Sequence, residues 1–180
     1  MAQDADPAKG WTNTGRQRPS WAIAPEAGQE SVWDYPRPPA IVDDTREVVV
    51  SLGVLEIARS RRSVRVLETA SPPTFYVPWA DVTPDVLVPA DGASWCEWKG
   101  QARYWSLVTD DGRVDEVAWA YPQAHAAFAR LRDYVAFYPS RVECFVDGER
   151  VQPQPGRFYG GWITREVVGP FKGEPGTGGW

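Results

Sequence analysis

The amino-acid sequence predicts a mainly β domain with one short helix, and three observations carry that prediction. Short runs of β-branched and aromatic residues recur along the body, Gly, Pro and Asp-Gly pairs punctuate them, and a single segment has helical periodicity. Ten Trp, seven Tyr and six Phe coexist with 17 Pro and 16 Gly, a mixture that suits strands joined by tight turns better than a helical bundle. A chain of 180 residues is long enough for one domain with a sizeable core and short for two.

In chain order, residues 1–35 read as an extended Pro- and Trp-rich arm, residues 36–152 as a β-rich core domain, and residues 153–180 as a Gly- and Pro-rich flap or tail. The arm and its junction are broken by Pro7, Pro19, Pro25, Pro36, Pro38 and Pro39. It also carries Trp11, Trp21, Trp33 and Tyr35, whose rings are costly to leave in water, so at least Trp33 and Tyr35 are expected to dock on the body. The core opens with the β-branched run Arg46–Val50, followed by Leu52–Ile57 with Gly53 as punctuation. Ser63–Glu68 alternates apolar and polar residues, the period of a half-buried strand, and Pro72-Pro73 are expected to stop it. Thr74–Val77 reads as a short strand closed by Pro78, and Ala80–Pro89 as a loop.

The clearest hairpin joins Ala102–Val108 to Val114–Tyr121 through Thr109-Asp110-Asp111-Gly112-Arg113, because glycine after aspartate accepts the positive φ such turns need. A second joins Arg141–Val146 to Glu149–Val151 through Asp147-Gly148. Between them, Pro122 suits the first turn of a helix of about three turns, and Ala124, Phe128 and Leu131 fall on one face. Tyr134–Tyr138 then returns as a strand stopped by Pro139. The tail holds eight of the sixteen glycines, and its Phe158–Trp162 segment is placed to cover a core edge.

Charge and composition exclude several function classes. The formal net charge of −5 is spread along the chain and implies no electropositive track for nucleic acid. No stretch approaches the roughly 18 apolar residues of a membrane span, and Met1–Lys9 lacks the apolar run of an export signal, so a cytoplasmic location is expected. Cys96 and Cys144 read as free thiols of a reducing compartment. Two Cys and the single His125 are too few for a tetrahedral structural zinc site, and no metal or cofactor is assigned.

Seven runs resemble, in order and spacing, the family catalogued as domain of unknown function 427. They are Ser60-Arg61-Arg62, Val66–Thr69, Pro72–Pro78, Asp81-Val82, Cys96–Trp105, Ala118–Pro122 and Ala136–Pro139, within a match over about Pro36 to Val151. The resemblance implies a compact antiparallel β-tent-like arrangement with one short helix, similar to methionine sulfoxide reductase B and the thalidomide-binding domain of cereblon. Many β-tent proteins hold zinc through paired Cys-x-x-Cys motifs, and this chain has none. The family is also labelled nucleotidyltransferase, for which the sequence gives little support. Metal-dependent nucleotidyl transfer wants carboxylates one residue apart on one strand face, whereas Asp43-Asp44 and Asp110-Asp111 are adjacent pairs and Asp4-Ala5-Asp6 lies in the arm. Gly169–Gly173 lacks both the Gly-Lys-Ser/Thr ending and the following helix of a phosphate loop.

Two constellations remain. In Cys96–Gly100, Lys99 could favour a reactive thiolate if the segment turns; the alternative is a small buried Cys96 with Lys99 paired to a carboxylate such as Glu68. His125, one residue from the apolar stripe, reads as exposed or merely packed rather than as part of a triad. The second constellation is a pocket of rings with polar tips: Tyr76, Trp98, Tyr104, Trp119, Tyr121 and Tyr138, supplied with charge by Arg62, Glu68 and Lys99. The candidate ligand-binding set is Arg62, Glu68, Tyr76, Cys96, Lys99, Tyr104, Trp119 and Tyr121. Arg62 or Lys99 would hold an anionic group, Glu68 would act as acid/base or hydrogen-bond acceptor, and the rings would stack on a planar ligand; the competing expectation is that the rings are simply core. Two functions therefore stay open. One is a small-molecule-binding or enzymatic domain, and the other is a non-catalytic interaction module whose Trp-rich arm and Gly-rich tail dock on a partner or a second copy. Neither nucleic acid nor membrane is expected as a partner.

Overall fold

The computed structural model of the chain describes residues 11–110 and 112–180; Asp4, Asp6, the rest of the first ten residues and Asp111 lie outside the described residues. The first strands are β1 (Glu30–Ser31), β2 (Ala40–Asp44), β3 (Val48–Leu52), β4 (Leu55–Ser60), β5 (Ser63–Glu68) and β6 (Ser71–Pro78). They are followed by β7 (Leu87–Cys96), β8 (Gly100–Thr109), β9 (Gly112–Ala120), β10 (Tyr134–Phe137), β11 (Glu143–Val146) and β12 (Glu149–Arg150). The tail contributes β13 (Gln152–Pro153), β14 (Trp162–Ile163) and β15 (Val167–Val168).

The protein is mainly β. A seven-stranded sheet runs β2-β5-β6-β10-β9-β8-β7 and a four-stranded sheet runs β12-β11-β3-β4, with antiparallel pairing throughout both. Strand alternation gives the large sheet two buried faces. Phe75 and Val77 of β6, Ala118 and Ala120 of β9 and Phe137 of β10 pack against Val48, Val50 and Ile57 of the small sheet. The intervening residues, Tyr76, Trp119 and Ala136, point the other way and pack with Val64, Val66, Trp98, Tyr121, Phe128 and Leu131. The rings that the sequence singled out thus occupy the face turned away from the small sheet.

Both Asp-Gly hairpins form, as β8–β9 and β11–β12. The helix differs from expectation: Ala126–Asp133 is a 3-10 helix, with Phe128 at φ −116° and ψ 16° interrupting the helical dihedrals. Ala124, Phe128 and Leu131 are nevertheless buried. Arg132 donates to the Ala124 carbonyl from Nε and Nη2 at 3.1 and 2.6 Å, which satisfies that oxygen from a side chain. Among the described residues no helix is long and apolar enough to cross a membrane.

Pro72-Pro73 lie inside β6 rather than stopping a strand. They sit beside a register shift between Val66 and Glu68 of β5, while β10 pairs only with Tyr76–Pro78, so their missing N–H groups interrupt no ladder on that side. β2 and β7 are edge strands that the sequence reading left out of the sheet. Part of the expected Ala80–Pro89 loop, from Leu87 onward, belongs to β7, whose pairing shifts between Pro89 and Ala93.

The arm and tail fold back together. Trp33, Tyr35, Val32 and Val167 are buried in a third cluster with Ala70, flanked by Phe171 and Trp180. The Trp33 indole donates to the Pro170 carbonyl at 2.9 Å, and β1 pairs in parallel with β15. Trp162 of the tail enters the main core, 0% exposed, stacked on Phe75 at 4.9 Å and donating from Nε1 to the Phe137 carbonyl at 3.1 Å.

Candidate functional site

The outward face of the large sheet is not completely filled. Between it, the tip of the β7–β8 hairpin and the folded-back tail lies a cleft of about 280 Å³. Glu68, Tyr76, Cys96, Lys99, Tyr104, Trp119 and Tyr121 all line it, together with Trp98 and Tyr138. The Glu68 and Lys99 segments, 31 positions apart, therefore meet around one hollow. Arg62 does not take part. Its side chain, 66% exposed, pairs with Asp81, which also accepts from Ser60 Oγ; β5 begins one residue later and turns Arg62 away from the ring-bearing face.

Lys99 owes its position to a tight turn. Cys96 pairs with Gly100, so Glu97-Trp98-Lys99 form the hairpin tip, and Gly100 takes φ +95° where a Cβ would approach the His125 ring to 3.0 Å. The Lys99 carbonyl accepts from the His125 amide at 3.1 Å, which ties the tip to the 3-10 segment. Lys99 is only 8% exposed, and its ammonium lies 5.6 Å from the Tyr121 ring centroid and 6.0 Å from that of Phe128. No carboxylate of the described residues pairs with it: the expected Glu68 pairing is replaced by one between Glu68 and Arg37 at 3.7 Å, and Glu68 also accepts from Trp98 Nε1 at 3.3 Å.

The phenols cluster within the lining. Tyr104 donates to Ser94 Oγ at 2.6 Å, Tyr76 lies edge-on to Trp119, and Trp119 packs on Tyr138 at 4.3 Å. Burial raises Tyr76, Tyr121 and Tyr138 well above the usual phenol range, helped for Tyr121 and Tyr138 by the neighbouring phenols and for Tyr76 and Tyr121 by Cys96. They stay protonated and able to donate. His125 is exposed, with Nδ1 3.1 Å from the Trp98 carbonyl and its ring edge-on to Trp95. Cys96 is partly exposed in the cleft, and Cys144 is buried in the main core; both are free.

Sequence reading missed the contribution of arm and tail. Trp11, Gln154, Phe158, Tyr159, Gly160 and Lys172 complete the lining. Lys172 Nζ sits 4.9 Å from the Trp11 ring centroid and 5.6 Å from that of Tyr159, and donates to the Trp180 backbone oxygen at 3.0 Å. Burial pulls its pKa below the ordinary lysine value, an effect opposed by Glu68. The only signal was a lone lysine in the glycine-rich stretch that failed as a phosphate loop. Gly160 makes the closure possible, because a Cβ there would stand 2.2 Å from the Trp119 ring. Trp95 and Phe158, 69% and 64% exposed, flank the opening.

The adjacent aspartates separate as strand geometry requires. Asp43 is exposed and pairs with Arg130, whereas Asp44 is buried against Arg46 and Arg65. Among the described residues no three His, Cys, Asp or Glu side chains gather closely enough to hold a metal ion.

A search of curated proteins finds no match to this chain. The profile described as "Domain of unknown function (DUF427)" matches residues 40–148, which span the whole of β2 to β11 and every strand of the large sheet. By that match, over more than half of its length, the chain belongs to the domain of unknown function 427 family.

Proposed function

We propose that the cleft binds a small organic molecule with one anionic group and a planar, apolar body. The observation that carries this reading is Lys99: a residue only 8% exposed in the cleft wall, whose ammonium has no carboxylate partner among the described residues. A charge in a largely enclosed hollow with no counter-charge of its own gains from an anion entering the cleft. The charges around the hollow point the same way. Lys99 and Lys172 stand against Glu68 and Glu97 in the lining, but Glu68 is engaged by Arg37 and Lys172 donates to Trp180, so Lys99 keeps no partner of its own among the described residues. Trp98, Trp119, Tyr121 and Tyr138 supply faces and edges for a planar body, and the volume suits a metabolite of one or two rings. Glu68 serves as a hydrogen-bond acceptor that holds the Trp98 indole in the wall.

A role as an interaction module would draw on the arm and tail, but Trp33, Trp162 and Trp180 already make contacts within the chain. The free thiols Cys96 and Cys144 suit a reducing, cytoplasmic setting. A thermal-shift screen of metabolites with wild type and Lys99→Met tests the reading. Organic anions should raise the melting temperature of wild type, and the variant should bind them about tenfold more weakly or worse. If no anion stabilises the protein, or the variant responds identically, the cleft is not an anion site.

A further inference from the structure

The cleft lining carries more chemistry than one ammonium needs. Tyr121 is 6% exposed and Tyr76 1% exposed, and both line the hollow beside Tyr138 and Tyr104. Only Tyr104 has an assigned side-chain acceptor, Ser94; among the described residues the hydroxyls of Tyr121 and Tyr138 have none. Lys99 and these phenols thus line one cleft as donors without an acceptor among the described residues, open to a ligand. We propose that this set is a cradle for a carboxylate, and that the ligand class is an aromatic carboxylic acid whose ring lies between the indole and phenol walls. The inference rests on the anion reading above and narrows it.

Three features separate carboxylate from phosphate. Of the two lysines in the lining only Lys99 lacks an acceptor among the described residues, and one such ammonium suits a monoanion better than a phosphate monoester of charge near −2. The donors are single O–H groups and one ammonium, without the glycine-rich backbone loop at a helix N-terminus that commonly receives phosphate. The cleft is also small and ring-walled, which suits a flat ligand with its charge at one end. Because the phenols remain protonated well beyond neutral pH, the cradle keeps its donors throughout the range in which a carboxylic acid is ionised.

Titration calorimetry of the full chain with benzoate, indole-3-acetate, phenyl phosphate and benzamide tests the assignment. The two carboxylates should bind at least tenfold more tightly than phenyl phosphate, and benzamide, which is neutral and of similar shape, should not bind. Tyr121→Phe and Tyr138→Phe should each weaken carboxylate binding about tenfold, as expected for a lost hydrogen bond to a charged group, while their ligand-free melting temperatures stay near wild type. Equal or tighter binding of phenyl phosphate would overturn the carboxylate assignment and leave the anion reading standing. Undiminished carboxylate binding in both Tyr→Phe variants would overturn the phenol cradle. Binding of benzamide as tight as that of benzoate would overturn both readings.

Discussion

Gly160→Ala is the smallest change that tests how the tail closes the cleft. The added Cβ would stand 2.2, 2.6 and 3.2 Å from three atoms of the Trp119 ring. Ordinary contact begins near 3.4 Å, so relief requires about 1.2 Å of relative movement between the tail and β9. Trp119 has little room to yield, being 7% exposed and packed on Tyr138 at 4.3 Å with Tyr76 beyond it. The strain therefore falls on the tail, whose Gly161 amide donates to Gln154 Oε1 at 3.0 Å and whose Trp162 is anchored in the core. Overpacking of this kind typically costs about 1–3 kcal/mol. Urea unfolding should show that loss as a lower midpoint with unchanged slope, while Gly178→Ala, with nothing within 4 Å of the new Cβ, should leave the midpoint in place. Equal midpoints for both variants and wild type would refute the claim that Gly160 seats the tail against Trp119.

Three further outcomes follow from the same geometry. Trp162→Ala should destabilise by about 3–5 kcal/mol in urea unfolding, since it empties a fully buried site and removes the donor to the Phe137 carbonyl; a loss under about 1 kcal/mol would separate the tail from the core. Burial disfavours the charge on Asp44, but hydrogen bonds from Arg46 and the charges of Arg46 and Arg65 outweigh it and hold the carboxyl below its usual value. Its contribution is thus complete above about pH 4 and lost as pH falls through the lower folded value. Asp44→Asn should cost about 2 kcal/mol at pH 7 and flatten the acid limb of a stability profile, and an unchanged limb would contradict that pairing. Iodoacetamide should label Cys96 in the native protein and spare Cys144, which lies in the main core and whose thiol burial pushes up, as peptide mass spectrometry can check.

How much of this was legible in the sequence depended on whether one residue's neighbours could report its environment. β5 reads directly because Val64 and Val66 alternate with Ser63 and Arg65 in the sequence, although both of its faces are largely covered in the fold. The two hairpins read from Asp-Gly, where the turn itself dictates glycine. β2 and β7 escaped because edge strands need no strict alternation and tolerate Pro89 and a register shift. The eight residues Ala126–Asp133 kept the predicted buried positions in a tighter helix, as periodicity over so short a span does not distinguish the two. Seven of the eight proposed site residues converge because β5-β6 and β9-β8-β7 flank β10 in one sheet and contribute to the same hollow. Arg62 fell away because it sits in the turn before β5, where a nearby acid, Asp81, satisfies it. Lys172, Tyr159 and Trp11 were invisible as site residues, since only the long-range return of arm and tail brings them there.

The central claim is that Lys99 offers an unmatched charge to a ligand inside a ring-lined cleft. A crystal structure with the tightest-binding organic anion tests it most directly. The account predicts an anion oxygen within hydrogen-bond distance of Lys99 Nζ and the ligand's planar body against the faces of Trp98, Trp119 or Tyr138. An anion bound elsewhere, or a Lys99 side chain paired with Glu68 or Glu97 across a filled cleft, would contradict it.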